Sequence, residues 1–174
     1  LDRLRELFPA VWMVDFEYFA PPGERPVPLC LVARELFTDQ LVRLWLHDDG
    51  SLIGTNGMPF DFEPQALYVA YYASAEFGCH LAMDWPLPIN VLDLFVEFRN
   101  LTNGIPPLCG NTLLGAMTHF GLSAIESAEK EKMRSLAMRG GPYTAVERLE
   151  LLDYCQTDVD ALLKLLPAML PEID

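Results

Sequence analysis

Asp15 and Glu17 lie two residues apart, directly behind the apolar run Val11-Trp12-Met13-Val14. Side chains alternate along a strand, so both carboxylates leave the same face. Two acids on one face repel unless cations sit between them. Magnesium suits such a place, because it takes oxygen ligands, commonly one or two carboxylates plus a substrate phosphate. The pair alone is a weak signal, since a Glu17 that merely opens a solvent-exposed loop has the same spacing. A third acid strengthens it. Asp158 follows Tyr154 by four residues, beside the helical apolar stripe Leu152, Cys155, Val159, Leu162, Leu163 and Leu166. At about 100° per residue, Tyr154 and Asp158 fall together at the edge of that stripe. The plain alternative is a half-buried tyrosine beside a solvated aspartate. Glu76 comes in the first turn of a predicted helix that follows a strand, where α/β sheets usually build their sites. It would serve equally well to complement the helix dipole. Asp93, inside Asn90-Val91-Leu92-Asp93-Leu94, is a rival acid on a predicted strand.

The elements that must position these residues follow from pattern. Strands are expected over 11–17, 29–36, 40–47, 66–72 and 89–95, with Thr38-Asp39 as the tight connection of a hairpin. Residues 48–50 and 54–57 read as loop. Ser74 is the expected N-cap of a helix over 75–83, and prolines at 86 and 88 break the chain. Helices are expected over 112–120, 123–138 and 144–166. Thr144 with Glu147 has capping-box spacing. Pro167 is the expected stop, because proline cannot continue the hydrogen-bond ladder. Three strands, then strand–helix–strand, then helices, make an α/β sheet of mixed strand direction.

Bulk properties narrow the choice. The chain has 174 residues, 51% of them hydrophobic, enough to bury a core. No run of eighteen apolar residues occurs, so no transmembrane helix and no membrane partner is expected. The four cysteines are scattered and form no CxxC pair, which argues against a zinc site or a disulfide framework and for a reducing, cytoplasmic setting. A formal charge of −13 counts against holding nucleic acid by general electrostatics. It leaves room for an enzyme that engages a strand end through divalent cations. The one concentration of positive charge is Lys130, Lys132, Arg134 and Arg139, whose bland reading is a solvated helix face.

In order and separation, these motifs resemble the DEDD family of 3′→5′ exonucleases, tyrosine subclass. Asp15-Phe16-Glu17 matches the family's D-x-E on the first strand, and Tyr154-Cys155-Gln156-Thr157-Asp158 its Y-x-x-x-D on the last helix. The likeness spans residues 11 to about 166. The family's second motif, N-x-x-F-D, is the departure: Tyr72 stands where Asn is common and Glu76 where Asp is expected. Asp93 is the alternative for that fourth acid. The stretch from Leu92-Asp93-Leu94 to Arg99 looks most like exonuclease domains of phage and bacterial family A DNA polymerases.

The resemblance implies a ribonuclease-H-like mixed five-stranded sheet flanked by helices. It implies a single exonuclease domain over 1–174, cut from a longer polymerase of the bacterial cytosol or a phage-infected cell. It implies two divalent ions, Mg or Mn, held by Asp15, Glu17, Glu76 and Asp158, with Tyr154 orienting the attacking water. Asp15 would bridge both ions, Glu17 and Asp158 would complete the water-activating site, and Glu76 would help hold the second. The implied activity removes nucleoside 5′-monophosphates from single-stranded DNA 3′ ends, in proofreading. Two rivals are an RNA-trimming exonuclease of the same fold and an inactive, exonuclease-like interaction module.

Overall fold

The computed structural model describes residues 1–48, 51–52, 58, 63–105, 107–123 and 127–173. Most of the loop expected over 48–50 and 54–57 lies outside them. The chain opens with a short helix, α1 (Asp2–Leu7), which the sequence pattern did not signal. Then come β1 (Val11–Phe19), β2 (Val27–Glu35) and β3 (Leu41–Trp45), followed by a two-stranded ribbon of β4 (His47–Asp48) and β5 (Ser51–Leu52). Next are β6 (Leu67–Ala70), α2 (Ala73–Ala82), β7 (Asn90–Asp93) and α3 (Leu94–Leu101). The chain ends in helices α4 (Leu113–His119), α5 (Ser127–Met138) and α6 (Ala145–Met169), the last running into a single 3₁₀ turn.

The five main strands form one mixed sheet in the order β3-β2-β1-β6-β7. β1, β2 and β3 pair antiparallel, while β6 and β7 join parallel to β1. This is the mixed five-stranded sheet, flanked by helices, that the sequence predicts. Alternation in β1 splits its side chains between two cores. Val11 and Met13 face the layer of α3, α4 and α6, with Leu94, Phe98, Met117, Leu151, Val159 and Leu166. Trp12, Val14 and Phe16 face α2, with Ala73, Cys79 and Trp85. Phe16 is therefore core, as its place opposite Asp15 requires.

The β1–β2–β3 unit is tied at one end by Glu35. This buried carboxylate accepts from the Val11 amide at 2.9 Å and from Phe37 N, Thr38 N and Thr38 Oγ1 at 2.8, 2.6 and 2.8 Å. Burial alone would raise its pKa. Those donors more than offset the burial and hold the carboxyl below the ordinary glutamate range. The same bonds fix the hairpin turn, where Asp39 takes a left-handed φ of 62°.

Three expectations about elements need correction. The fifth strand does not run to Phe95. It ends at Asp93, whose side chain accepts from Phe95 N and Val96 N and so caps α3. Leu94 and Phe98, four apart, then bury on one helical face. Ser74 is not the cap of α2. That helix starts at Ala73 behind Tyr72, which has φ 75° and no cap of its own. Its first amides donate instead to Asp93. Finally, α6 passes through Pro167 and ends at Met169. A proline there removes one N–H, yet Leu165, Leu166 and Met169 stay fully buried against the sheet. That packing outweighs a defect so near the helix end.

Candidate functional site

β1 extends past its pairing with β6, which stops at Met13↔Val69. Beyond that point its strand pairing among the described residues is with β2, through Asp15↔Val32 and Glu17↔Cys30. Asp15 and Glu17 therefore project at the carboxyl end of the central strand, toward α6. That helix is pinned to the same place: the Cys155 thiol donates to the Asp15 carbonyl at 3.2 Å. One turn on, Asp158 reaches the two strand acids. Carboxylate oxygens of Asp15, Glu17 and Asp158 lie within 4.8 Å of one another, although Asp158 is more than 140 positions along the chain from the other two. Tyr154, on the preceding turn and the same face, hydrogen-bonds Asp158.

Glu76, only 4% exposed, comes from α2 on the opposite side of the sheet. It stands outside that tight cluster, but its carboxyl lines the same cleft and accepts from the Phe16 backbone. Asp93 is elsewhere and already engaged. Its oxygens accept from Tyr72 N and Ala73 N at 2.9 Å each, Phe95 N at 3.0 Å and Val96 N at 3.4 Å. Of the two acids considered for the second motif, Glu76 faces the cleft and Asp93 is a clamp between β7, α2 and α3.

Electrostatics set this group apart. Burial, then the charge of Asp158, pushes the Asp15 carboxyl up to about 8. Glu17 is raised by burial and by Asp15, Glu76 by burial, Asp15 and Glu17, and Asp158 by burial. Lys130 opposes the shift at Asp158, with Nζ 3.3 Å from Oδ2. Four buried acids, three of them raised further by a neighbouring carboxylate, make a site that gains by admitting cations. The donors are all oxygen, and the buried Asp15 Oδ2 and Glu76 Oε2 have no hydrogen-bond partner among the described residues. Both features fit a hard divalent cation such as Mg or Mn.

The acids line a cleft of about 630 Å³ together with Tyr71, Tyr72, Thr112, Lys130, Arg134 and Tyr154. Of the basic run along and just after α5, Lys130, Lys132 and Arg139 are spent on ion pairs with Asp158, Glu150 and Glu147 of α6. Arg134 makes no ion pair among the described residues and faces the cleft. In the sequence this run reads as one charged face. Helical spacing separates its members: Lys130 and Arg134 are four apart and share one side. Tyr71 was not singled out either. Its hydroxyl donates to the Asn111 carbonyl at 2.7 Å, tying the end of β6 to the approach of α4.

No family model matches the chain, and no curated protein sequence matches it. Among solved structures, the crystal structure of the Aedes aegypti Nibbler EXO domain is similar at 11% identity. It covers 97% of this chain and 84% of that one, with a TM-score of 0.48. No helix among the described residues is long and apolar enough to cross a membrane.

Proposed function

We propose that the chain is a metal-dependent 3′→5′ exonuclease that releases nucleoside 5′-monophosphates from DNA 3′ ends, in the proofreading manner of a polymerase-associated domain. The observation that carries this is the convergence of Asp15, Glu17 and Asp158 in an open cleft at the carboxyl end of the central strand. In this reading Asp15, Glu17 and Asp158, with Glu76 beside them, hold two divalent ions, Mg or Mn. Such ions, when bound, lower the pKa of a water and stabilise the attacking and leaving oxygens of an in-line displacement. The chain's own residues do the rest. Asp15 and Glu17, fixed by the β1–β2 register, hold their carboxylates on one face without rearrangement. Tyr154 keeps its hydroxyl at Asp158, where it orients the attacking water. Arg134, free of an ion pair among the described residues, attracts the phosphodiester into an otherwise acidic cleft.

Digestion of matched DNA and RNA oligonucleotides with Mg or Mn tests the reading. Release of 5′-mononucleotides from DNA supports it. Equal or faster release from RNA would move the assignment to RNA trimming, and no release from either with a folded protein would sink it.

The Lys130–Asp158 ion pair favours one other reading. A lysine that satisfies the acidic cluster from within, beside a Glu at the second motif, suits an inactive interaction module. Metal titration separates the two: a module of that kind gains no thermal stability from manganese, whereas the nuclease does.

A further inference from the structure

Tyr72 is held in a conformation that its residue type disfavours. Its φ of 75° is left-handed, where a bulky side chain is an outlier, and such outliers cluster at functional sites. Asp93 enforces it by accepting the Tyr72 and Ala73 amides together. The result is a tyrosine residue 51% exposed at the mouth of the cleft, its ring at 89° to the Phe95 ring with centroids 5.0 Å apart. Arg99, one turn further along α3, lies over the Phe95 ring, its guanidinium carbon 5.9 Å from the ring centre. Arg99 makes no ion pair among the described residues. A second cavity of about 620 Å³ runs from Asp15 and Asp158 past Tyr72 and Phe95 to Arg99 and Asn111. A third, of about 420 Å³, continues from Arg99 and Asn111 to Asn103 and Gly104.

We propose that Tyr72, Phe95 and Arg99 form a strand-binding platform that takes the nucleotides upstream of the terminal one, as single-stranded nucleic acid. Bases stack on the Tyr72–Phe95 pair, and Arg99 engages a backbone phosphate. This is the combination of aromatic faces and positive charge that holds single strands without reading sequence. It rests on the nuclease reading for the direction of the strand, with the 3′ end at the acids. It also resolves a difficulty of net charge. A chain of formal charge −13 repels a polyanion in general, so affinity must come from stacking and from a few cations without acidic partners.

The test measures binding of 5′-labelled oligonucleotides of about ten residues, DNA and RNA, by fluorescence anisotropy in calcium, with a nucleoside 5′-monophosphate in parallel. Wild-type protein is compared with Tyr72→Ala and Arg99→Gln, each first shown to keep the wild-type melting temperature within a few degrees. Phe95→Leu, which keeps the apolar bulk on α3, covers the case of a Tyr72 variant that unfolds. The expected result is about a tenfold loss of oligonucleotide affinity in Tyr72→Ala and a loss in Phe95→Leu. Arg99→Gln lowers affinity and reduces the salt slope by about one phosphate contact. Mononucleotide affinity falls far less than oligonucleotide affinity in all three. Unaltered oligonucleotide binding in the folded variants would overturn the platform, as would an equal loss for the mononucleotide or no strand binding by wild type. Hydrolysis is read separately in manganese. A wild type that binds strands through these residues yet cleaves nothing refutes the nuclease reading and leaves the platform standing.

Discussion

Asp15 and Glu17 are legible because a strand imposes a period of two. Asp158 and Tyr154 are legible because a helix returns every four residues to one side. What no spacing reveals is that Glu76 and Asp93, both plausible fourth acids, do different work. The difference lies in what each oxygen meets. Among the described residues, the hydrogen bonds to Asp93 all come from backbone amides, whereas Glu76 keeps one buried oxygen unpartnered beside Asp15. Two substitutions separate them. Glu76→Ala should leave the fold intact and cut nuclease activity. Asp93→Ala should strand four amide donors, cost about 2 kcal/mol, and lower the melting temperature by several degrees. Calorimetry and activity assays on both variants check this, and a stable Asp93→Ala would contradict the clamp. Asp15→Asn and Asp158→Ala should each lower kcat/KM by about a thousandfold or more, equivalent to about 4 kcal/mol of transition-state stabilisation.

At the level of elements, the long α6 was announced at one end and misjudged at the other. Thr144 and Glu147 form both halves of the capping box, at 2.8 and 3.3 Å. Thr144→Ala should therefore cost about 1 kcal/mol, measurable by denaturant unfolding. The other end escaped prediction because Pro167 is a local signal, overridden by burial of residues around it. The same conflict hid α3. Leu94 and Phe95 after an apolar strand look like more strand until Asp93 is recognised as a cap. Its position relative to the amides it captures on α2 is a tertiary fact. The apolar stripe of α6 likewise rotates slightly from expectation: Leu151 and Leu165 are fully buried, while Leu152 and Leu163 pack at its margin. Glu35 belongs to this scale too. Its four donors join the start of β1 to the β2–β3 turn, so Glu35→Ala should destabilise the whole antiparallel unit by about 3 kcal/mol.

Across the whole molecule, the fold stores unfavourable charge at one end of its sheet, and this gives stability a pH dependence of definite sign. In the folded, metal-free chain the Asp15 carboxyl is raised from 3.8 to about 8, and Glu17, Glu76 and Asp158 are raised as well. At acidic pH both folded and unfolded chains are protonated there, and these groups contribute no difference. As pH rises from about 4 to about 8 the unfolded chain releases protons that the folded chain retains, so stability falls. Glu35, held below its ordinary 4.5, acts oppositely at the lower edge of this window, and the buried His80, held below its ordinary 6.5, acts oppositely up to that pH; the four raised acids outnumber these two groups. Thermal melts in a chelator should thus decline across that window, less so for Asp15→Asn, and manganese should restore stability most at the upper end. The central claim is tested most directly by one time course: a 5′-labelled single strand with wild-type protein and manganese, alongside Asp15→Asn. The account predicts a ladder that shortens by single nucleotides from the 3′ end with wild type and an intact strand with the variant. An intact strand in both, or an equal ladder in both, would contradict it.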